Sequence, residues 1–226
     1  MQSIGFYAKR LGFGILEMFK RLPYAFYILA HPIDGFYELK RDHRNHNLPG
    51  AVFLFIVLGI SAILKRQYTG YLFCDPGSKL NLNIPYELTI AVLPFILFII
   101  ANWCFTSLMD GDGKLRDIFT ATAYATVPMT LINLLAIPLS NFLTLSESAM
   151  YTFIISFGLV WCYGMVFFGM MVTHQYTVKK AIITAILSII GMAVIAFIIV
   201  LLFFLVQQVF GFITQLYTEI SFRINE

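Results

Sequence analysis

Five blocks of almost unbroken apolar residues, each long enough to approach the thickness of a lipid bilayer, govern what this chain can become. A hydrocarbon core about 30 Å thick is crossed by roughly 20 helical residues. The blocks run over 48–64, 86–108, 118–140, 150–173 and 181–206, the first being the shortest. None carries Asp, Glu, Lys or Arg between its ends; Glu87 sits at the rim of the second, and Lys65 and Arg66 close the first. Backbone placed in lipid must satisfy its own hydrogen bonds, which favours helices. Of the 226 residues, 59% are hydrophobic and only 12% are charged, about half the charge of a soluble domain. A net charge of +3 is too small to favour nucleic acid or another polyanion as partner. The sequence therefore predicts an all-α polytopic membrane protein with five transmembrane helices.

Basic residues set the orientation. Eleven of the 15 Lys and Arg fall on the side shared by the N-terminus and the connections near 109–117 and 174–180. Only Lys65, Arg66, Lys79 and Arg223 fall on the other side. The positive-inside rule then puts the N-terminus in the cytoplasm and the C-terminus outside. Both ends read as amphipathic helices. Ile4, Tyr7, Leu11, Ile15, Met18 and Leu22 share a stripe opposite Lys9, Arg10, Glu17, Lys20 and Arg21, the pattern of a helix lying in the interface. At the other end Val209, Phe210, Phe212, Ile213, Leu216, Tyr217 and Ile220 share a nearly uncharged face that suits lipid or a partner protein. The expected division is a cytoplasmic N-terminal segment over 1–47, a membrane domain over 48–206 and an extracytoplasmic helix over 207–226.

Chemistry is sparse. Three cysteines without a Cys-x-x-Cys spacing give neither a disulfide framework nor a zinc site. Gly-x-Ser-x-Gly and His-Glu-x-x-His are both absent, and every aspartate lies outside the blocks. His43 and His46 stand three apart but lack a third ligand at a convincing spacing. The connection Met109-Asp110-Gly111-Asp112-Gly113-Lys114 opens like a calcium loop, yet Lys114 holds the fifth position and Ala121 the twelfth, where a bidentate Glu is required. It reads instead as a tight glycine-rich turn. No catalytic group, cofactor or metal site is expected. The polar residues inside the blocks, Asn102, Thr106, Tyr124 and Asn133 among them, suit hydrogen bonding between helices, or the lining of a polar path. Ala121 and Ala125 form a small-xxx-small pair for close helix approach. Pro94, Pro128 and Pro138 are expected to bend their helices.

Residues 121–128, Ala-Thr-Ala-Tyr-Ala-Thr-Val-Pro, follow a polar loop with acidic residues, and this opening resembles the bacterial branch of the Yip1-domain family. His-Pro-Ile-Asp-Gly-Phe-Tyr-Glu at 31–38 and Met-Val-Thr-His-Gln-Tyr at 171–176 resemble the Gram-positive form. The resemblance covers about 31–206. The five-span count agrees with that family, whose resemblance implies a bacterial cell membrane, no established reaction and, for some bacterial members, association with carbohydrate importers of the ABC type. The Asp-Leu-Tyr-Gly-Pro element of the eukaryotic branch is missing here, so a small-GTPase partner is not implied.

Three functions compete at this level. The first is an accessory subunit that binds other integral membrane proteins, such as ABC permease subunits, besides the lipid bilayer. Its packing residues would be Asn102, Thr106, Ala121, Tyr124, Ala125, Pro128 and Asn133, and its cytoplasmic docking residues Asp34, Asp110, Asp112, Arg116 and His174. The second is a small permease or channel lined by Asn102, Thr106, Tyr124 and Asn133. The third is a membrane-shaping protein that works through its two amphipathic ends.

Overall fold

A computed structural model describes residues 23–41, 48–74, 82–109 and 111–225. Every regular element among them is helical. Residues 23–30 form α1, followed by α2 (Pro32–Arg41), α3 (Leu48–Tyr68), α4 (Ile84–Leu108), α5 (Leu115–Ala125), α6 (Val127–Phe142), α7 (Ser148–His174) and α8 (Val178–Asn225). Short 3-10 turns at Tyr71–Phe73 and Leu145–Glu147 serve the connections at one end of the bundle. Five helical stretches are long and apolar enough to cross a membrane: Leu48–Tyr68, Ile84–Ser107, Leu115–Phe142, Leu145–His174 and Val178–Ser221. The five expected spans are all present. The chain is an α-helical multi-pass membrane protein.

The spans pack as a continuous bundle, α6 against α3 and α7, α5 against α7, and α4 against α3 and α8. Helices in lipid gain little from apolar burial, so association rests on close packing and on hydrogen bonds. Glycine supplies the closest approaches. A methyl group on Gly158 would stand 2.5 Å from Ile132, and one on Gly191 2.4 Å from Phe105. Those two contacts bring α7 onto α6 and α8 onto α4. Ala121 is buried next to Gly169 of α7, and Ala125 is fully buried, so the small-residue pair does lie on a packed face.

Three boundaries differ from the sequence reading. The first span continues beyond residue 64 to Tyr68, so Lys65 and Arg66 lie inside a helix. Both are good helix formers, and each has a polar group to reach, as described below. The third span is interrupted at Thr126, which separates α5 from α6. Pro128 removes the N–H that would bond the Tyr124 carbonyl, and the Thr126 hydroxyl donates to the Ala123 carbonyl at 2.7 Å. Pro94 and Pro138, by contrast, sit inside uninterrupted helices. The last span has no boundary near residue 207, for α8 runs unbroken over 48 residues. It contains no proline, and only its first part packs on α4. Residues 197–220 are exposed throughout. The C-terminal apolar face therefore does not fold back on its own bundle. The N-terminal amphipathic stripe over 1–22 lies outside the described residues, as do His43 and His46.

Gly70 and Gly164 provide a paired test of this packing. A methyl group on Gly70 would fall 2.2 Å from the Ser140 carbonyl oxygen, whereas one on Gly164 of α7 meets nothing within 4 Å. Gly70→Ala is expected to lower stability in detergent by about 1–3 kcal/mol. Gly164→Ala, in an open helical position, is expected to be neutral or to raise it by up to about 1 kcal/mol. Thermal unfolding of the two variants side by side reads the difference.

Candidate functional site

The bundle carries two polar clusters, one near each end. At the first end, α7 stops where Gln175 takes a left-handed conformation (φ 54°). This reversal sets the ring of His174 against that of Tyr176, 5.3 Å apart and nearly parallel. The loop that joins α4 to α5 closes over the pair. The Gly113 N–H donates to His174 Nδ1 at 3.3 Å, so the ring proton sits on Nε2 and is donated to Asn102 Oδ1 at 3.0 Å. The Asn102 amide in turn donates to Ser188 Oγ at 3.2 Å, and the Ser188 hydroxyl to the Thr184 carbonyl at 2.8 Å. One directed chain thus ties the loop to α7, α4 and α8. Tyr176 extends it by donating to the Met109 carbonyl at 3.3 Å, and Lys180 lies 4.4 Å above the Tyr176 ring.

The loop glycines are required by this closure. A methyl group on Gly111 would stand 2.7 Å from His174 Nδ1 and from the Tyr176 hydroxyl; one on Gly113 would stand 2.7 Å from His174 Cε1. The two glycines of this loop are thus explained by contact with His174 and Tyr176. The 31–38 segment joins the same end. Tyr24 of α1 donates to the Gly35 carbonyl at 2.8 Å and meets Tyr124 edge to face at 6.2 Å. Burial, reinforced by the Glu38 carboxylate, holds the Tyr24 phenol well above the usual phenol range, so it stays a donor. Phe36 is buried beside Gly169 and Ala121. Lys40 Nζ is buried without a hydrogen-bond partner. It borders a void of about 10 Å³ lined also by Asp117, Thr120 and Thr173, close to the smallest space that a single water occupies.

At the opposite end a larger cavity of about 530 Å³ opens between α3, α4, α6 and α7. Lys65 turns into it, and its ammonium donates to Asn133 Oδ1 at 3.3 Å; the Asn133 amide donates to Ser61 Oγ, also at 3.3 Å. Ser61 and Lys65 are one helical turn apart and share a face of α3. Arg66 pairs with Glu87 at 3.4 Å on the cavity rim, a half-exposed contact that adds little stability by itself. Tyr151, Met129 and Cys162 also line the space.

The residues anticipated from sequence thus separate into groups. Asn102 and His174 meet directly, with Thr106 one turn from Asn102 and bonded to its carbonyl at 2.7 Å. Asn133 lines the far cavity, and Tyr124 packs among the aromatics of α1. Asn102 and Asn133 serve different clusters, so the four residues of the imagined polar path do not converge. Pro128 is buried in the first turn of α6. Thr120, Thr122, Thr126 and Thr130 bond carbonyls of their own chain segment three or four residues back, because that acceptor is always within reach of a helical hydroxyl. They are not the glue between helices. Asp34, Asp112 and Arg116 are exposed and free to meet a partner, while Asp110 lies outside the described residues. His174 is 2% exposed with both ring nitrogens engaged, so it organises the loop and is not a docking contact. Nothing local in the sequence marks Ser188 or Tyr176 as members of a cluster; for Ser61 and Lys65 the four-residue spacing is the one available signal.

Asn102 is the joint of the first cluster, and Asn102→Leu removes two interhelical hydrogen bonds at once. With each intramembrane bond contributing about 0.6 kcal/mol or somewhat more, and the His174 Nε2–H left unpaired, a loss of about 2 kcal/mol is expected. Thermal unfolding in detergent measures it. Thr122→Val, which deletes only a hydroxyl bonded to its own helix, should change stability by less than about 0.5 kcal/mol.

Comparison with known proteins agrees with this architecture. A family model for the Yip1 domain matches residues 26–200, which takes in α2 through the packed part of α8 and both polar clusters. No curated protein and no solved structure matches the chain. With most of its length matched, the chain belongs to the Yip1 domain family.

Proposed function

We propose that this protein is a non-enzymatic subunit that binds other integral membrane proteins, with the permease subunits of a carbohydrate ABC importer as the partner class that its bacterial resemblance implies. The observation that carries the reading is the far part of α8. Residues 197–220 are all exposed, and Phe203, Phe204, Phe210, Phe212 and Tyr217 are all more than half exposed. A helix of 48 residues is about 72 Å long, more than twice a bilayer core. The part that emerges from the membrane still presents apolar surface, and such surface is a mark of protein contact. Polar groups in the first cluster support the same reading, since His174, Asn102 and Ser188 are committed to one another.

In this reading the membrane is the bacterial plasma membrane, with the His174 end in the cytoplasm, the Lys65 end outside and the free length of α8 reaching outward. That arrangement follows the distribution of Lys and Arg. Asp34, Asp112 and Arg116 then supply polar contacts on the cytoplasmic side. Three features weigh against a permease: the separate clusters, threonines bonded to their own helices, and Asn102 sealed against His174.

Full-length protein extracted in mild detergent is expected to carry permease subunits at near-equal stoichiometry, identified by mass spectrometry. Truncation after Val206 should abolish their recovery while leaving expression intact. A photo-crosslinking residue at Phe210 should capture the same subunit. Full-length protein that elutes alone, or a truncated form that keeps its companions, would show the reading to be wrong.

A further inference from the structure

We propose that the cavity at the Lys65 end is a binding site for a monoanionic phospholipid, with its phosphate on Lys65 and an acyl chain lying between α4 and α7. The argument is independent of the partner reading above and begins with the direction of Lys65. A lysine three residues from the end of a membrane helix ordinarily extends its ammonium outward to the headgroups. Here the side chain turns the other way, into the cavity, and reaches Asn133 Oδ1. That contact is a neutral amide, which leaves the positive charge uncompensated. Charges facing the cavity among the described residues are Lys65, Arg66 and Glu87, and Arg66 is already paired with Glu87. Among the described residues one unit of positive charge remains, and a ligand with a single negative charge complements it.

The walls define the rest of the ligand. Below Lys65 they are formed by apolar side chains including Leu58, Ile90, Pro94 and Phe95. Along α7 the lining runs from Tyr151 to Tyr163, about 18 Å of helix, close to the depth of one leaflet. A second, mainly apolar cavity of about 440 Å³ continues beyond it and shares Pro94, Phe95 and Tyr163 with the first. The space therefore has a charged head and an apolar slot in line, the form of an amphiphile rather than of a soluble anion. Entry is lateral. Ile90, Leu159 and Tyr163 line the cavity and are 52%, 40% and 55% exposed, so it opens toward the bilayer between α4 and α7. Pro94 also deprives the Ile90 carbonyl of its helical donor, which places an extra acceptor beside the slot.

The test is a titration of the delipidated full-length protein in nonionic detergent, read by native mass spectrometry. Phosphatidylglycerol is the probe and phosphatidylcholine the zwitterionic comparator. Wild-type protein is expected to bind phosphatidylglycerol at least about 10-fold more tightly than phosphatidylcholine. Lys65→Met keeps the apolar stem and should weaken phosphatidylglycerol by about 10- to 100-fold, the value of a charge-assisted contact. Ala91→Phe fills the slot without altering charge and should weaken both lipids. Lys179→Met, an exposed lysine at the other end, should weaken neither. Equal affinity for the two lipids, or phosphatidylglycerol binding unchanged in both Lys65→Met and Ala91→Phe, would overturn the proposal. Displacement of phosphatidylglycerol by millimolar inorganic phosphate would instead identify a soluble anion site and would overturn it equally.

Discussion

Hydrocarbon offers no hydrogen bonds, and that one constraint shapes nearly everything in this bundle. Once buried in lipid, a polar side chain either finds a partner inside the protein or raises the energy of the folded state by a large fraction of its total stability. The protein answers this demand in two ways. Threonines close onto carbonyls of their own helix and behave almost as apolar residues. Two asparagines do the opposite, because a primary amide has a donor and an acceptor on different sides and can bridge neighbours. Asn102 joins α7 to α8, and Asn133 joins two positions on α3. Each amide satisfies itself only when three groups are in register, so each acts as a registration point for helices that apolar packing alone would let slide.

Glycine completes the registration. At Gly158 and Gly191 it removes the side chain that would hold two helices apart. At Gly111 and Gly113 it lets a loop descend onto an aromatic pair. In both settings the residue matters for what it lacks, and the neighbouring side chain, Ile132 or Phe105 or His174, fills the space so provided.

Much of the architecture is legible in the amino-acid order because membrane thickness acts as a ruler. Apolar block length alone reveals all five spans and their order. Errors at the ends have a common origin: composition marks where charge begins, whereas a helix ends only where its backbone bonds end. Lys65 and Arg66 look like terminators and are helical; Gln207 and Gln208 look like a boundary and are interior to α8. The sites were harder to read. Asn102, His174 and Asn133 attract notice as polar residues in or near apolar runs, but Asn102 and His174 are 72 positions apart, and no local pattern announces that they touch. Lys65 looks in sequence like an interfacial charge, since sequence does not encode which way a long side chain will turn. The roles of Gly111 and Gly113 were equally hidden, for a glycine that accommodates a distant ring looks the same in sequence as one that makes a turn.

The uninterrupted course of α8 has a mechanical consequence. Its packed part runs from Val178 to Ala196, about 27 Å, and roughly 43 Å of the rod lies beyond it. Such a geometry is a lever with unequal arms. A lateral displacement of several ångströms at the distal tip becomes a small tilt at the fulcrum, where Gly191 abuts Phe105 and Ser188 meets Asn102. A tilt of the rod would therefore bear on the Ser188–Asn102 contact, which Asn102 joins to His174.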